Sequence, residues 1–349
     1  MTFVRFFISK VSLLHPSVTM TMTMTMSAFI QLSRRGPRNL LRGAARTASS
    51  KVGRTIRPCQ MTSVRGRLFS TESSSAPLVT WEADERTQVG TITLQSPKTF
   101  NALTVEMGRE FERIVSQIEK ELNGQSNIQA IVLQGAGEQA FSAGGNLKWL
   151  LSLHDNSVHA NVDAMLQFYN SFLCMRRSIP VPVVAALQGP AMGAGACLAL
   201  SCDVRVAAEG HTRVLGFPFS KLGIPSGMGG MYLLEQQGCS SSKATEILLL
   251  GHTLTGEEAS DLGLVNRLVP ASEVKAEAHK LAREIAQRHP VAVRSLIRSW
   301  RLGKDSGLAD ALYRDAHAQA MCYNRDDWGR GLHAVAEKRD ADFDDYHAK

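Results

Sequence analysis

Two glycine-rich stretches carry the residue types most suited to chemistry. Ala140-Phe141-Ser142-Ala143-Gly144-Gly145-Asn146 follows the apolar run Ile131–Leu133, and Gly189-Pro190-Ala191-Met192-Gly193-Ala194-Gly195 follows Pro180–Ala185. A strand that ends in small residues before a helix exposes backbone N–H groups that no side chain covers. Where the helix begins, its positive dipole end adds to them, so both stretches favour an oxygen bearing negative charge. A dinucleotide is a poor fit. Gly193-x-Gly195 lacks the third glycine, Leu198 standing in its place, and no acid ends a nearby second strand at the usual distance. Turns that merely allow close packing are the bland alternative for either stretch alone.

The elements that must position these turns follow from periodicity. Val79–Glu82 and Val89–Leu94 alternate as strands across a polar turn. Thr104 is placed to cap a helix running to about Asn123, with Met107, Phe111, Ile114, Val115 and Ile118 on one face. Ile128–Leu133 and Pro180–Ala185 read as buried strands, residues 161–177 as a helix, and Asp203–Ala207 as a further strand. Strands alternate with helices to Val269, which predicts an α/β core over 77–269. Beyond Pro270 only helices are expected, around 272–288, 291–302, 306–323 and 327–339. Their broad apolar faces predict an oligomer-forming region over 270–349.

The 349 residues are 44% hydrophobic with a mean hydropathy of -0.10, and no apolar run approaches the length needed to cross a bilayer. The net charge of +7 has a local origin. Twelve of the 39 basic residues lie in the first 71 residues, which contain no acid, leaving 27 against all 32 acids in the remainder. The folded part is therefore acidic and gives no support for nucleic-acid binding. The Arg-, Ser- and Thr-rich leader reads as a transit peptide over 1–76 with its linker, addressed to the mitochondrial matrix or alternatively to a plastid. The six cysteines show no C-x-x-C pairing and read as free buried thiols, with no disulfide framework and no metal site.

Several segments taken together resemble the crotonase (enoyl-CoA hydratase/isomerase) family. They are Ser96-Pro97-Lys98-Thr99-Phe100-Asn101-Ala102-Leu103, the two glycine stretches, Ser201-Cys202-Asp203, Leu222-Gly223-Ile224-Pro225, Gly227-Met228-Gly229-Gly230, Leu262-Gly263-Leu264-Val265 and Glu337-Lys338-Arg339 with Phe343. The resemblance spans about residues 78–345. It implies an α/β spiral of ββα units with a C-terminal helical trimerisation region, assembled as a homotrimer or hexamer. It also implies an acyl-CoA thioester as substrate, in fatty-acid or branched acyl-CoA metabolism, with no cofactor because coenzyme A is part of the substrate. By position, the oxyanion donors would be the amides of Gly145 and Ala194. Ala143, Gly144, Asn146 and Gly193 would line the acyl site, and Lys98 and Lys148 would meet the CoA phosphates.

The resemblance breaks where a hydratase of this family carries two glutamates. Cys197 and Phe219 occupy those positions, and neither can move a proton as a carboxylate does at neutral pH. Substitutes are few. Cys197 as a thiolate at a helix N-terminus competes with Cys197 as core. Ser226 lies in a glycine-rich turn but lacks a nucleophile elbow or a paired histidine. His159 and Asp163 are i,i+4 and could share one helix face as base and orienter, against the plainer reading of a solvated polar face. The expected activity is therefore an isomerase, decarboxylase or atypical hydratase. The alternative is a non-catalytic acyl-CoA-binding or assembly subunit.

Overall fold

The computed structural model describes residues 76–337 together with Arg339, Ala341 and Phe343. The leader with Cys59 and part of the closing motif lie outside the described residues. Strands β1 (Val79–Asp84) and β2 (Val89–Leu94) form an antiparallel pair, and β2 continues through β3 (Ala130–Gly135), β4 (Val183–Leu187), β6 (Val204–Ala208) and β9 (Arg267–Val269) as parallel neighbours. A second small sheet joins β5 (Ala191–Met192), β7 (Leu215–Gly216) and β8 (Thr253–Leu254). The helices in chain order are α1 (Val105–Asn123), α2 (Leu147–Ser152), α3 (Val158–Ser178), α4 (Ala194–Ser201), α5 (Gly230–Gln236), α6 (Ser241–Leu250) and α7 (Gly256–Asp261). The last four are α8 (Val274–Ala286), α9 (Pro290–Lys304), α10 (Leu308–Tyr323) and α11 (Asp326–Ala336).

The central strands read as continuous apolar runs because both faces of the sheet are covered. Side chains alternate across a strand, so Ile131, Leu133, Val183 and Ala185 enter the main core while Val132, Val184, Ala186 and Val206 point to the other side. There α8 lies across them with Val274, Ala278, Ala282 and Ala286, a four-residue repeat of buried small side chains that lets helix and sheet approach closely. The main core receives α1, whose predicted stripe of Met107, Phe111, Ile114, Val115 and Ile118 is fully inside. Thr104 caps it by accepting from the Met107 amide at 3.1 Å, worth about 1 kcal/mol. The helix at 147–152 and the two-residue strands β5, β7 and β8 were not legible, being too short for a periodic signal.

All described residues belong to one compact unit, and the boundary at Pro270 falls within it. Two buried ion pairs tie the helical segment back to the core. Arg176 near the end of α3 donates Nε to both oxygens of Asp305, at 2.8 and 2.7 Å. Arg301 of α9 meets Asp203 through Nε and Nη2, and also donates to the carbonyls of Arg176, Ile179 and Val181. Removing one member leaves a buried charge unpaired, so Arg301→Ala is expected to destabilise the fold by about 3–5 kcal/mol in denaturant titration.

Candidate active site

The two glycine turns sit in direct contact. Met192 N donates to Ser142 O at 2.9 Å, bridging β5 to the first turn. Gly144, at φ +90°, approaches so closely that a Cβ there would lie 2.3 Å from Met192 O and 3.4 Å from the Ala194 nitrogen. On the other side a Cβ on Gly195 would lie 2.8 Å from both Cβ and O of Ser142. Only glycine fits either position. Behind the first turn Asn101, itself left-handed at φ 53°, donates Nδ2 to Ala136 O and Ala140 O, while Ser142 Oγ donates to Asn101 O.

Most amides in these turns have partners. Ala143 donates to Phe100 O, Gly144 to Ser142 Oγ, Asn146 to Leu103 O and Gly193 to Gly216 O. The amides of Gly145 and Ala194 have no protein acceptor among the described residues. Ala194 opens α4, so its N–H has no intrahelical partner and lies at the positive end of the helix. Both residues line a narrow cavity of about 80 Å³.

The remaining lining is almost wholly apolar: Leu147 and Leu150 of α2, Met165 and Phe168 of α3, and Met192, Pro218, Phe219 and Met228 among them. Its polar side chains are Tyr169 of α3 with Gln319 and Tyr323 of α10. Both tyrosine hydroxyls donate to Gln319 Oε1, at 2.7 and 2.8 Å, and Gln319 Nε2 donates to Pro225 O at 2.9 Å. Burial pushes both phenols above their ordinary value, so they stay neutral throughout the working pH range. Among the described residues no carboxylate, histidine or lysine lines the cavity.

The residues singled out in the sequence divide accordingly. Ala143, Gly144, Gly145, Gly193, Ala194 and Phe219 all line the cavity. Asn146 does not; its Oδ1 caps α2 by accepting from Trp149 N at 3.0 Å. Cys197 is fully buried, its thiol donating to Gly227 O at 3.4 Å. Desolvation, with the Asp315 carboxylate nearby, drives its pKa upward, so burial overrides the helix-terminus effect that would favour a thiolate. Ser226 points its hydroxyl at Gly230, buried and without a partner, and is not in the lining.

His159 and Asp163 lie on the solvent side of α3. They are exposed, make no hydrogen bond with each other and do not line the cavity, because α3 turns the stripe Met165, Phe168, Tyr169 and Phe172 inward and carries positions 159 and 163 on its outer side. Lys98 and Lys148 are exposed and outside the lining. Among the described residues no group of three His, Cys, Asp or Glu side chains is placed to hold a metal ion.

A profile described as Enoyl-CoA hydratase/isomerase matches residues 84–346. The chain belongs to the enoyl-CoA hydratase/isomerase family. A Bacillus subtilis relative, YngF, named provisionally as an enoyl-CoA hydratase/isomerase, is 36% identical over 250 residues, covering 72% of this chain and 92% of its own. A Dictyostelium discoideum relative named "Probable enoyl-CoA hydratase, mitochondrial" is 30% identical over 256 residues, covering 73% and 87%. The crystal structure of an enoyl-CoA hydratase from Bacillus anthracis superposes with a TM-score of 0.57 at 30% identity, covering 76% of this chain and 98% of that one. The chain shares the crotonase fold of these enoyl-CoA hydratase/isomerase structures.

What the sequence missed in this family member is the wall contributed by α10. Asp315, Gln319 and Tyr323 are spaced i, i+4, i+8, so a polar stripe facing inward was its one available signal. Asp315 lies behind the cavity wall, its Oδ2 accepting from Gly229 N at 2.8 Å. Desolvation raises its pKa to about 6, the Gly229 bond opposing it. The folded state thus holds the proton more tightly than the unfolded chain. Asp315 stabilises the fold when protonated, and that contribution is lost as pH rises from about 4 to about 6. Asp315→Asn keeps an acceptor for Gly229. It is expected to raise stability at pH 7 by about 1–2 kcal/mol, a gain that disappears near pH 4 when melting curves are compared.

Proposed function

We propose that this chain is an acyl-CoA enzyme that stabilises a thioester enolate, and that decarboxylation of an acyl-CoA bearing a β-carboxylate is the reaction its cavity suits best. The observation that carries the reading is the pairing of two unpartnered amides, Gly145 and Ala194, with a lining that holds no carboxylate. Two N–H donors aimed at the thioester oxygen contribute roughly 3–4 kcal/mol each to an oxyanion. A general base is needed when the enolate forms by proton removal or water attack. It is not needed when the bond between the α-carbon and the carboxylate breaks. Carbon dioxide then leaves, the bonding pair enters the enolate, and a proton from solvent completes the α-carbon.

Cys197 and Phe219, standing where a hydratase would carry its glutamates, support the same reading. The names of the relatives favour hydration as a second reading, with Tyr169, Gln319 and Tyr323 holding the water. Lys98 and Lys148, exposed beside the first turn, suit the CoA phosphates. Apolar side chains that α9 leaves exposed (Val291, Leu296 and Trp300) suit contact with further copies of the chain in a trimer or hexamer. The basic leader and the mitochondrial naming of the Dictyostelium relative support a matrix location.

Release of carbon dioxide from malonyl-, methylmalonyl- and ethylmalonyl-CoA tests the reaction. Turnover of at least one is expected, with a rate flat from about pH 7 to about pH 9 because no lining side chain titrates there. Water addition to 2-enoyl-CoA without any such release would replace decarboxylation by hydration, and tight thioester binding with no turnover would leave only a binding subunit. Ala194→Pro isolates the oxyanion role, since proline is tolerated at the first helical position and removes only the N–H. A loss of about 10²–10³ in kcat with little change in melting temperature is expected.

A further inference from the structure

A second and larger cavity, of about 690 Å³, lies between the C-terminal turns of α1 and α3 and the flank of α9, and no residue lines both cavities. Five arginines line it (Arg176, Arg177, Arg294, Arg298 and Arg301) against the carboxylates of Glu119 and Asp305. Their hydrogen bonding is uneven. Arg301 is fully engaged by Asp203 and three backbone carbonyls. Arg176, its side chain only 1% exposed, spends Nε on Asp305 and Nη1 on Ser201 O, leaving Nη2 buried with no partner. Arg294 reaches Ile128 O at 3.3 Å through Nη2, and its buried Nε is likewise unpartnered. Arg298 has no partner among the described residues, and Arg177 reaches only Asn170, at 3.5 Å.

Buried donors without acceptors are costly unless a ligand supplies the acceptor. The ligand that meets several guanidinium groups at once is acceptor-only, multiply charged and rich in oxygen, which describes phosphate more closely than a single carboxylate. The arginines come from two helices, α3 and α9, so a ligand with several phosphoryl groups can meet more of them than a single phosphate does. Serine hydroxyls at Ser295 and Ser306 add donors, and Ile179 and Ile297 offer an apolar wall to an organic moiety. We propose that this groove binds a polyphosphate-bearing small molecule at a site separate from the thioester cavity. Two sources share that chemistry, a nucleoside triphosphate and free coenzyme A. The groove is mechanically joined to the thioester cavity, because α3 carries both Arg176 and Tyr169, and Arg176 holds the last residue of the helix that Ala194 begins.

The test is calorimetric titration of the full chain with inorganic tripolyphosphate, ATP and coenzyme A, in the wild type and in the double variant Arg177→Glu, Arg298→Glu. Both side chains are exposed and outside the buried ion pairs, so the variant is expected to fold with an unchanged melting curve. Saturable tripolyphosphate binding, weakened at least about tenfold in the variant while thioester turnover is unaffected, is the expected result. ATP binding more tightly than tripolyphosphate, with the same loss, identifies the nucleotide as the source. Coenzyme A showing that gain and loss identifies coenzyme A. Absence of saturable binding, or binding indifferent to the double variant, overturns the proposal. So does a changed oligomeric mass of the variant by light scattering, which would make the groove a contact between subunits.

Discussion

Everything at the cavity lined by Gly145 and Ala194 depends on how closely two backbone turns approach each other. Gly144 lies against the Met192 carbonyl, Gly195 lies against Ser142, and backbone bonds from Met192 N to Ser142 O and from Phe141 N and Ser142 N to Pro190 O fix their register. Side chains at either glycine would force the turns apart by more than the slack of a hydrogen bond. The cost of such an approach is a set of amides with nowhere to donate. Gly145 and Ala194 carry the two amides left without a protein acceptor at the cavity among the described residues.

The turns are only one half of the cavity. The opposite wall comes from α3 and α10, which pack directly on each other. Arg176 on Asp305 and Arg301 on Asp203 bury four charges to join the last helices to the sheet. Such pairs are weak sources of net stability, yet each strongly opposes any rearrangement that separates its members. Gln319 then acts as a clasp, accepting from Tyr169 and Tyr323 and donating to Pro225, so three segments close around the cavity through one amide side chain.

The electrostatic character of the cavity follows from this construction. Its polar atoms are neutral amides and phenols, and burial keeps the phenols and the adjacent Cys197 thiol protonated. An environment of that kind stabilises charge that develops on a held oxygen, while supplying no ionised group to start a proton transfer. Asp315, a half-buried carboxyl on α10, bonds the amide of Gly229 and does not line the cavity.

The amino-acid sequence by itself determined the α/β core, the α1 stripe, the strand over 89–94 and the two turns, because each is a local matter of apolar period or of glycine at positions that tolerate nothing larger. Family membership was legible for the same reason, since the motifs are short and contiguous. Tertiary structure alone decided which polar side chains line the cavity. Tyr169 and Gln319 are 150 residues apart, and nothing in the local pattern of either segment announces the other. Only packing decided that His159 and Asp163 face outward, since an i,i+4 pair fixes a common face without saying which way that face turns. The fate of Cys197 was likewise a matter of depth. Proximity to a helix start favours a thiolate, and complete burial outweighs it.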